Sequence, residues 1–266
     1  MAYSVDELRR AAAALEAGDF RTGFPGQRRT RAAVAEEWDP AEPVLVVAGA
    51  AARVGATIAA TAIAEAAGIE VRLVEAGPMH TTGLADATTA ELGVTETGWR
   101  QGHRDQVQIE RTTSSYERPE AVPAPAPTER ALTVVDAGWD LTRVVSSSSW
   151  ICDALASHPL VLTTTATAPG MRALDTALGV CGRDDDDVHV VVIGPDRKKW
   201  PKAVTTAATG AVTQLAQHGR LHTLPYDRHL AISGLDRAPL PPAVLRAAKS
   251  VLTAVTHPLE GNSHVR

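Results

Sequence analysis

Six short apolar runs, separated by segments of helical pattern, constrain the fold of this chain more than any other feature. They read VLVVAGA (from residue 44), IEVRLVEAGP, ALTVVDAG, PLVLTTTA, DVHVVVIGP and RLHTLPYD. Unbroken apolar runs are typical of strands buried on both faces, and strands that alternate with helices form parallel sheets. The sequence therefore predicts an α/β fold, a three-layer α/β/α domain with a mostly parallel sheet.

The segments outside this alternation predict the domain organisation. Residues 1–40 are expected to form a short helix over residues 4–17 and then a flexible, arginine-containing arm. Residues 41–258 form the predicted α/β domain, and residues 259–266 are expected to be a disordered tail.

Residues 98–130 break the rhythm of strands and helices and are expected to form an insertion on this domain. The run DQVQIERTT alternates polar and apolar residues, which predicts an exposed edge strand. The following RPEAVPAPAPTER is rich in proline, which favours an extended tether.

Composition and charge bear on whether the chain binds nucleic acid, enters a membrane or holds a metal ion. The formal net charge of −5 gives no indication of nucleic-acid binding. No run approaches the ~18 apolar residues of a membrane-spanning helix, and the N-terminus lacks the apolar core of a signal peptide. The two cysteines, Cys152 and Cys181, lie in no metal-binding spacing. We therefore expect a cytoplasmic protein.

The stretch VLVVAGAAARVGATIAATAIAEA, residues 44–66, has the order strand, small-residue turn, helix. A phosphate-binding loop follows the pattern G-x-x-x-x-G-K-[ST], in which lysine neutralises phosphates and the hydroxyl holds magnesium. Here Gly55 and Thr57 match, Ala56 replaces the lysine, and Gly49 stands one place before the first glycine position.

Backbone N–H groups and a helix N-terminus hold anions without a lysine, and an arginine within the loop restores some charge. The loop therefore remains a candidate nucleotide site, with Mg²⁺ held by Thr57 and Asp136 if a nucleotide binds. The expected contacts from this loop are Gly49, Ala52, Arg53, Val54, Gly55, Ala56 and Thr57.

The order of motifs along the chain adds to this local signal. LTVVDAG resembles a Walker B strand that ends at Asp136, LVEAGP stands where a D-x-D-P motif would, and GRLHTLPYDRHLAISGL resembles a last strand with its P-x-D turn. Over residues 43–256 the chain resembles the ParA/MinD deviant-Walker ATPases, in a degenerate version of actinobacterial type. The resemblance implies ATP and Mg²⁺ as cofactors, Glu75, Pro225 and Asp227 at the nucleotide, and a homodimer.

The departures from that family pattern concern catalysis. Ala50 stands at the signature lysine that contacts the other subunit's nucleotide, and Ala56 at the phosphate-loop lysine. The two acids of D-x-D become Glu75 and Gly77. Because each lost transition-state contact costs about 3 kcal/mol, efficient hydrolysis is not expected, and no catalytic residue is assigned.

Two functions follow from the resemblance and its departures. The first is a pseudo-ATPase that acts as a partner-binding or regulatory subunit in plasmid maintenance, conjugation or a related positioning system. The second is a weak ATP–Mg²⁺-binding switch. The protein partner is not identified by the sequence.

A basic loop after DVHVVVIGP offers a further contact. Lys198, Lys199 and Lys202 surround Trp200, and this composition fits phosphate or nucleic-acid binding with a base stacked on the indole. The other interpretation is a solvated loop with Trp200 packed on the sheet.

A different enzyme class also fits the first strand–helix–strand unit. In an NAD(P)-binding oxidoreductase, Glu75 would hold a ribose hydroxyl about twenty residues after the glycine-rich turn. The glycine spacing is poor, since G-x-G-x-x-G from Gly49 requires glycine at Ala51 and Val54.

Overall fold

The computed structural model describes residues 38–78, 82–183 and 188–261. The predicted N-terminal helix and arginine-containing arm lie outside the described residues.

A single nine-stranded sheet forms the middle layer, in the order β3-β4-β5-β2-β6-β1-β7-β8-β9. Neighbouring strands are parallel from β5 through β9, whereas β4 is antiparallel to both β3 and β5. The strands are β1 (Val44–Gly49), β2 (Val71–Glu75), β3 (Ala90–Val94), β4 (Trp99–Arg104), β5 (Val107–Thr112), β6 (Leu132–Asp136), β7 (Leu160–Thr165), β8 (Val188–Ile193) and β9 (Leu221–Leu224).

Helices cover both faces of this sheet. Helices α1, α2, α8 and α9 pack on one face, and α3 to α7 pack on the other. They are α1 (Ala56–Ala66), α2 (Leu84–Ala87), α3 (Leu141–Val145), α4 (Trp150–Ser157), α5 (Ala168–Cys181), α6 (Lys202–Ala207), α7 (Gly210–Gln217), α8 (Arg228–Ser233) and α9 (Pro242–Gly261). The predicted mostly parallel α/β/α architecture is confirmed. Helix α9 runs past residue 258, where the domain was expected to end.

The first strand shows why apolar runs without alternation predicted this sheet. Val44 and Val46 face one core, while Leu45 and Val47 face the other, and all four are at most 4% exposed. Helix α1 packs against the second core through small side chains, several of which are fully buried alanines. Small side chains let the helix axis approach the sheet closely, which fixes the loop between β1 and α1.

The predicted exposed edge strand at DQVQIERTT is wrong. Its strand β5 lies inside the sheet, parallel to β2 and antiparallel to β4, and its side chains are mostly buried. Polar positions of β5 pair with polar side chains of other strands: Gln101 Nε2 on β4 donates to Glu110 Oε1 at 2.8 Å, and Arg111 forms an ion pair with Glu91 on β3, one strand further away. The alternation of polar and apolar residues in β5 therefore reflects polar side chains that are buried and paired, and it does not indicate a solvent-exposed edge.

The proline-rich stretch after β5 is extended and held against the domain. Val122 is buried, and its carbonyl accepts a hydrogen bond from the Trp150 indole Nε1 at 3.1 Å. Further along, Arg72 Nη1 donates to the carbonyl of Ala126. The stretch is therefore held at Val122 by helix α4 and at Ala126 by strand β2.

Candidate nucleotide site

The loop between β1 and α1 lies at the carboxyl edge of the parallel strands, next to the centre of the sheet. Gly55 has φ +83°, a backbone conformation that favours glycine, and a Cβ there would also require the Ile193 Cδ1 methyl to move. Arg53 is also left-handed, with φ +59°, although it is not glycine. Left-handed residues in such a turn direct successive N–H groups toward a common point, which is an anion-binding arrangement.

A cavity of about 680 Å³ opens beside this loop. It has the size of a small-molecule site. Residues after β2 and β6 and the end of α8 complete its wall. The structure brings together in this lining all seven residues expected from the loop and also Asp136, namely Gly49, Ala52, Arg53, Val54, Gly55, Ala56, Thr57 and Asp136.

A second cavity of about 430 Å³ shares Arg53, Val54 and Gly55 with the first. The two residues expected in the P-x-D turn, Pro225 and Asp227, line this second cavity. Asp227 also caps α8, since its carboxylate accepts a hydrogen bond from the Leu230 N–H at 2.9 Å. The predicted loop and the predicted turn therefore border two cavities that share one wall.

Thr57 and Asp136 meet at the floor of the first cavity. The Thr57 hydroxyl donates a 2.6 Å hydrogen bond to Asp136 Oδ2. Asp136 is fully buried, and its Oδ1 accepts no hydrogen bond from the described part of the chain. Burial raises the pKa of this carboxyl to about 6, against the lowering effects of the Thr57 hydroxyl and of the nearby Gly138 backbone N–H. An unsatisfied buried oxygen of this kind fits a further donor or a cation in the cavity.

The predicted contact between Glu75 and a ligand stays a prediction. Glu75 is 2% exposed, lines neither cavity, and stands in register with Asp136 on the neighbouring strand. Burial, together with the nearby Asp136 charge, raises the pKa of Glu75 to about 8. In the free protein the Glu75 carboxyl is therefore buried beside Asp136 and is not part of the cavity lining.

Residue 77, where the family resemblance implies that an acid has been replaced, is closed in by backbone. A Cβ on Gly77 would lie 2.8 Å from the Gly138 Cα, and a Cβ on Gly138 would lie 2.5 Å from the Gly77 Cα. Real Cβ atoms do not approach other atoms so closely. No side chain fits at residue 77 unless the turns after β2 and β6 separate.

The basic loop does not have the stacking role that the sequence allowed. Trp200 is 9% exposed, packs in the core under α6 and donates from its indole Nε1 to the Pro195 carbonyl at 3.0 Å. Its ring is therefore not free to stack on a base. Lys198, Lys199 and Lys202 are exposed and line neither cavity, which is the solvated-loop alternative.

Sequence reasoning missed Arg143 and Trp139, which both line the first cavity. They follow the Walker B-like strand by a few residues, in the segment that begins α3. Their signal was available, because a segment that leaves a parallel strand at its carboxyl end borders the same edge as the loop after β1.

Other classes of site find no support in the described residues. Within residues 38–78, 82–183 and 188–261, no group of three or more His, Cys, Asp or Glu side chains could hold a metal ion. In the same residues, no helix is long and apolar enough to cross a membrane.

The strand order is not that of a dinucleotide-binding unit. In that unit the first two strands are neighbours. Here β6 lies between β1 and β2, and Glu75 is buried beside Asp136. The predicted NAD(P)-binding alternative is therefore wrong.

No family model matches the sequence, and no curated protein matches it significantly. Among solved structures, a plasmid partition protein from Borrelia burgdorferi B31 bound to AMPPNP superposes with a TM-score of 0.55 at 10% identity, over 82% of this chain and 99% of the other. McdA from Cyanothece, in complex with ATP, gives 0.51 at 11% identity, over 86% and 100%. The chain thus has the fold of the ParA/MinD-like P-loop ATPases.

Proposed function

We propose that this protein is a ParA/MinD-like pseudo-ATPase that acts as a partner-binding or regulatory subunit, in plasmid maintenance, conjugation or a related positioning system. Its nucleotide cavity is retained, and its hydrolytic machinery is not. The partner is a second protein, and a homodimer is the assembly that the fold implies.

The contact between Gly77 and Gly138 carries this proposal. Efficient hydrolysis requires groups that stabilise charge as the bond to the terminal phosphate breaks. The family's second acid would stand at residue 77, where a Cβ would lie 2.8 Å from backbone. The lysine positions hold Ala50 and Ala56. The loss is therefore built into the packing of two turns as well as into side chains.

Phosphate release from ATP–Mg²⁺ tests the proposal. We expect no release above the rate without protein, for the wild type and for Thr57→Ala alike. Release that requires Thr57 would contradict the proposal, because activity from a contaminant would persist in the variant. The assay needs the same protein preparation to show a cooperative thermal transition, so that inactivity is measured on folded protein.

A second candidate, the ATP–Mg²⁺-binding switch, is favoured by one observation. Thr57 and Asp136 are joined at the cavity by a 2.6 Å hydrogen bond, and Asp136 Oδ1 has no partner among the described residues. Thr57 and Asp136 would hold the ion, which would neutralise phosphate charge when a nucleotide is bound.

Thermal melts with and without ATP–Mg²⁺ separate the two candidates. A ligand at one hundred times its Kd adds about 2.7 kcal/mol to the free energy of unfolding. A shift that shrinks in Thr57→Ala and in Arg53→Ala supports the switch. If millimolar nucleotide does not shift the melting temperature, the switch hypothesis is contradicted, and a scaffold that binds no nucleotide is the remaining interpretation.

A further inference from the structure

Arg143, an exposed residue of α3, lines the first cavity from the segment after β6. Its guanidinium carbon lies 5.6 Å from the centroid of the Trp139 ring, within the range of a cation–π contact. The Trp139 ring is itself held, because its Nε1 donates a 2.7 Å hydrogen bond to the Ala76 carbonyl. Asp140 caps α3 by accepting from the Arg143 N–H at 3.2 Å, which fixes the backbone of the arginine.

The guanidinium of Arg143 has its donors available. Among the described residues it makes no hydrogen bond and no ion pair, and its one contact of this kind is the Trp139 ring. The charged side chains of the cavity are Arg53, Asp136, Asp140 and Arg143. Asp136 is buried and bonded to Thr57, so the accessible charges at the cavity are the positive Arg53 and Arg143 and the negative Asp140, which leaves an excess of one positive charge.

We propose that Arg143 binds the terminal phosphate of a nucleoside di- or triphosphate in this cavity and supplies the positive charge that the loop lacks at Ala56. The inference rests on nucleotide binding as proposed above. It assigns the positive charge at the phosphate to a residue outside the loop, in the helix α3 that follows β6.

The chemistry of the site selects a phosphate end group. Arginine presents a planar fork of donors that fits two phosphate oxygens at once, and a stacked arginine loses little freedom when it binds. The N-terminus of α1, which has no side-chain cap, offers free N–H groups on the same cavity. The unsatisfied Asp136 Oδ1 gives a place for a Mg²⁺-bound water beside such a ligand.

Calorimetric titration of Mg–ATP, Mg–ADP and AMP into the wild type and Arg143→Ala tests the assignment. We expect ATP to bind about tenfold to a hundredfold more weakly to the variant, as for a lost charge-assisted hydrogen bond. AMP binding should change less than about threefold. Arg143→Lys keeps the charge without the fork and should recover part of the affinity. Arg172→Ala is the matched control, since Arg172 is exposed on α5 and lines neither cavity.

The outcomes separate this inference from the proposed function. Equal ATP affinity in the wild type and Arg143→Ala overturns the inference and leaves the pseudo-ATPase untouched. Equal losses for ATP and AMP also overturn it, because the contact would then not be to a terminal phosphate. Absence of any binding by the folded wild type overturns both the inference and the switch. Phosphate release, measured separately, is what would overturn the pseudo-ATPase.

Discussion

The turns after β1 and after β2 lie at the same edge of the sheet, and one is open to the cavity whereas the other is closed by backbone. The turn after β1 carries no lysine, with alanine at Ala50 and Ala56, and its Gly55 has φ +83° beside Ile193. The turn after β2 has glycine at residue 77, where a Cβ would lie 2.8 Å from the Gly138 Cα. The first turn leaves room for a ligand, whereas the second leaves no room for a side chain.

This difference decides whether a single substitution can change the chemistry of each turn. An anion site built from backbone N–H groups survives the loss of a side chain, because a neighbouring cation such as Arg143 can replace its charge. A position closed by backbone against backbone cannot regain an acid by a single substitution, since two turns would have to move apart.

The largest expected effect tests the closed turn. Gly77→Ala places a Cβ 2.8 Å from the Gly138 Cα and should lower the free energy of unfolding by up to about 3 kcal/mol, measured by denaturant titration. Gly179→Ala is the control, because a Cβ there meets nothing within 4 Å in α5, and it should stabilise by about 0.5–1 kcal/mol. Similar results for both variants would show that the turns are not closed.

Gly77→Asp sharpens the same point in terms of activity. It restores the acid of the family pattern by sequence, yet we expect it to lose stability like Gly77→Ala and to gain no phosphate release. Release of phosphate by this variant that disappears in Gly77→Asn would break the comparison between the two turns.

The next effect concerns the carboxyl buried behind the closed turn. The folded pKa of Glu75 is about 8, above its usual 4.5, so between these values the native state binds more protons than the unfolded state. The contribution of this group therefore makes the free energy of unfolding fall as pH rises from about 4.5 to about 8.

Glutamine at residue 75 is neutral at every pH and removes that dependence. Glu75→Gln should raise the free energy of unfolding at pH 8 by on the order of 2 kcal/mol and change it little at pH 5, in melts at both pH values. Glu96 is exposed, so the control Glu96→Gln should change the free energy of unfolding at neither pH. A variant that loses stability equally at both pH values would show that the Glu75 carboxylate is needed in its charged form.

The smallest effect concerns the turn that is open to the cavity. Thr57→Val removes the 2.6 Å hydrogen bond to Asp136 and should lower the free energy of unfolding by about 1 kcal/mol, whereas Thr57→Ser should retain most of it. Wild-type stability in Thr57→Val would mean that the hydrogen bond is not a feature of the free protein in solution.

The sequence by itself determined the layers of this fold and the loop after β1. Strands that are buried on both faces have unbroken apolar runs, and a turn between strand and helix favours glycine where φ is positive. Strand β1 and Gly55 could therefore be recognised from a few successive residues. The N-cap of α4 is likewise made within four successive residues, since the Ser149 hydroxyl accepts a hydrogen bond from the Cys152 N–H.

Only the tertiary structure decided where polar side chains stand relative to the sheet. The strand β5 was placed wrongly because its burial depends on β2, which lies far from it in sequence. The burial of Glu75 depends in the same way on β6, which is also distant along the chain. The closure of Gly77 on Gly138 and the approach of Arg143 to the cavity join segments that no local pattern connects. Local conformation is encoded by a few successive residues, whereas solvent exclusion and charge at a site arise from packing across the whole sheet edge.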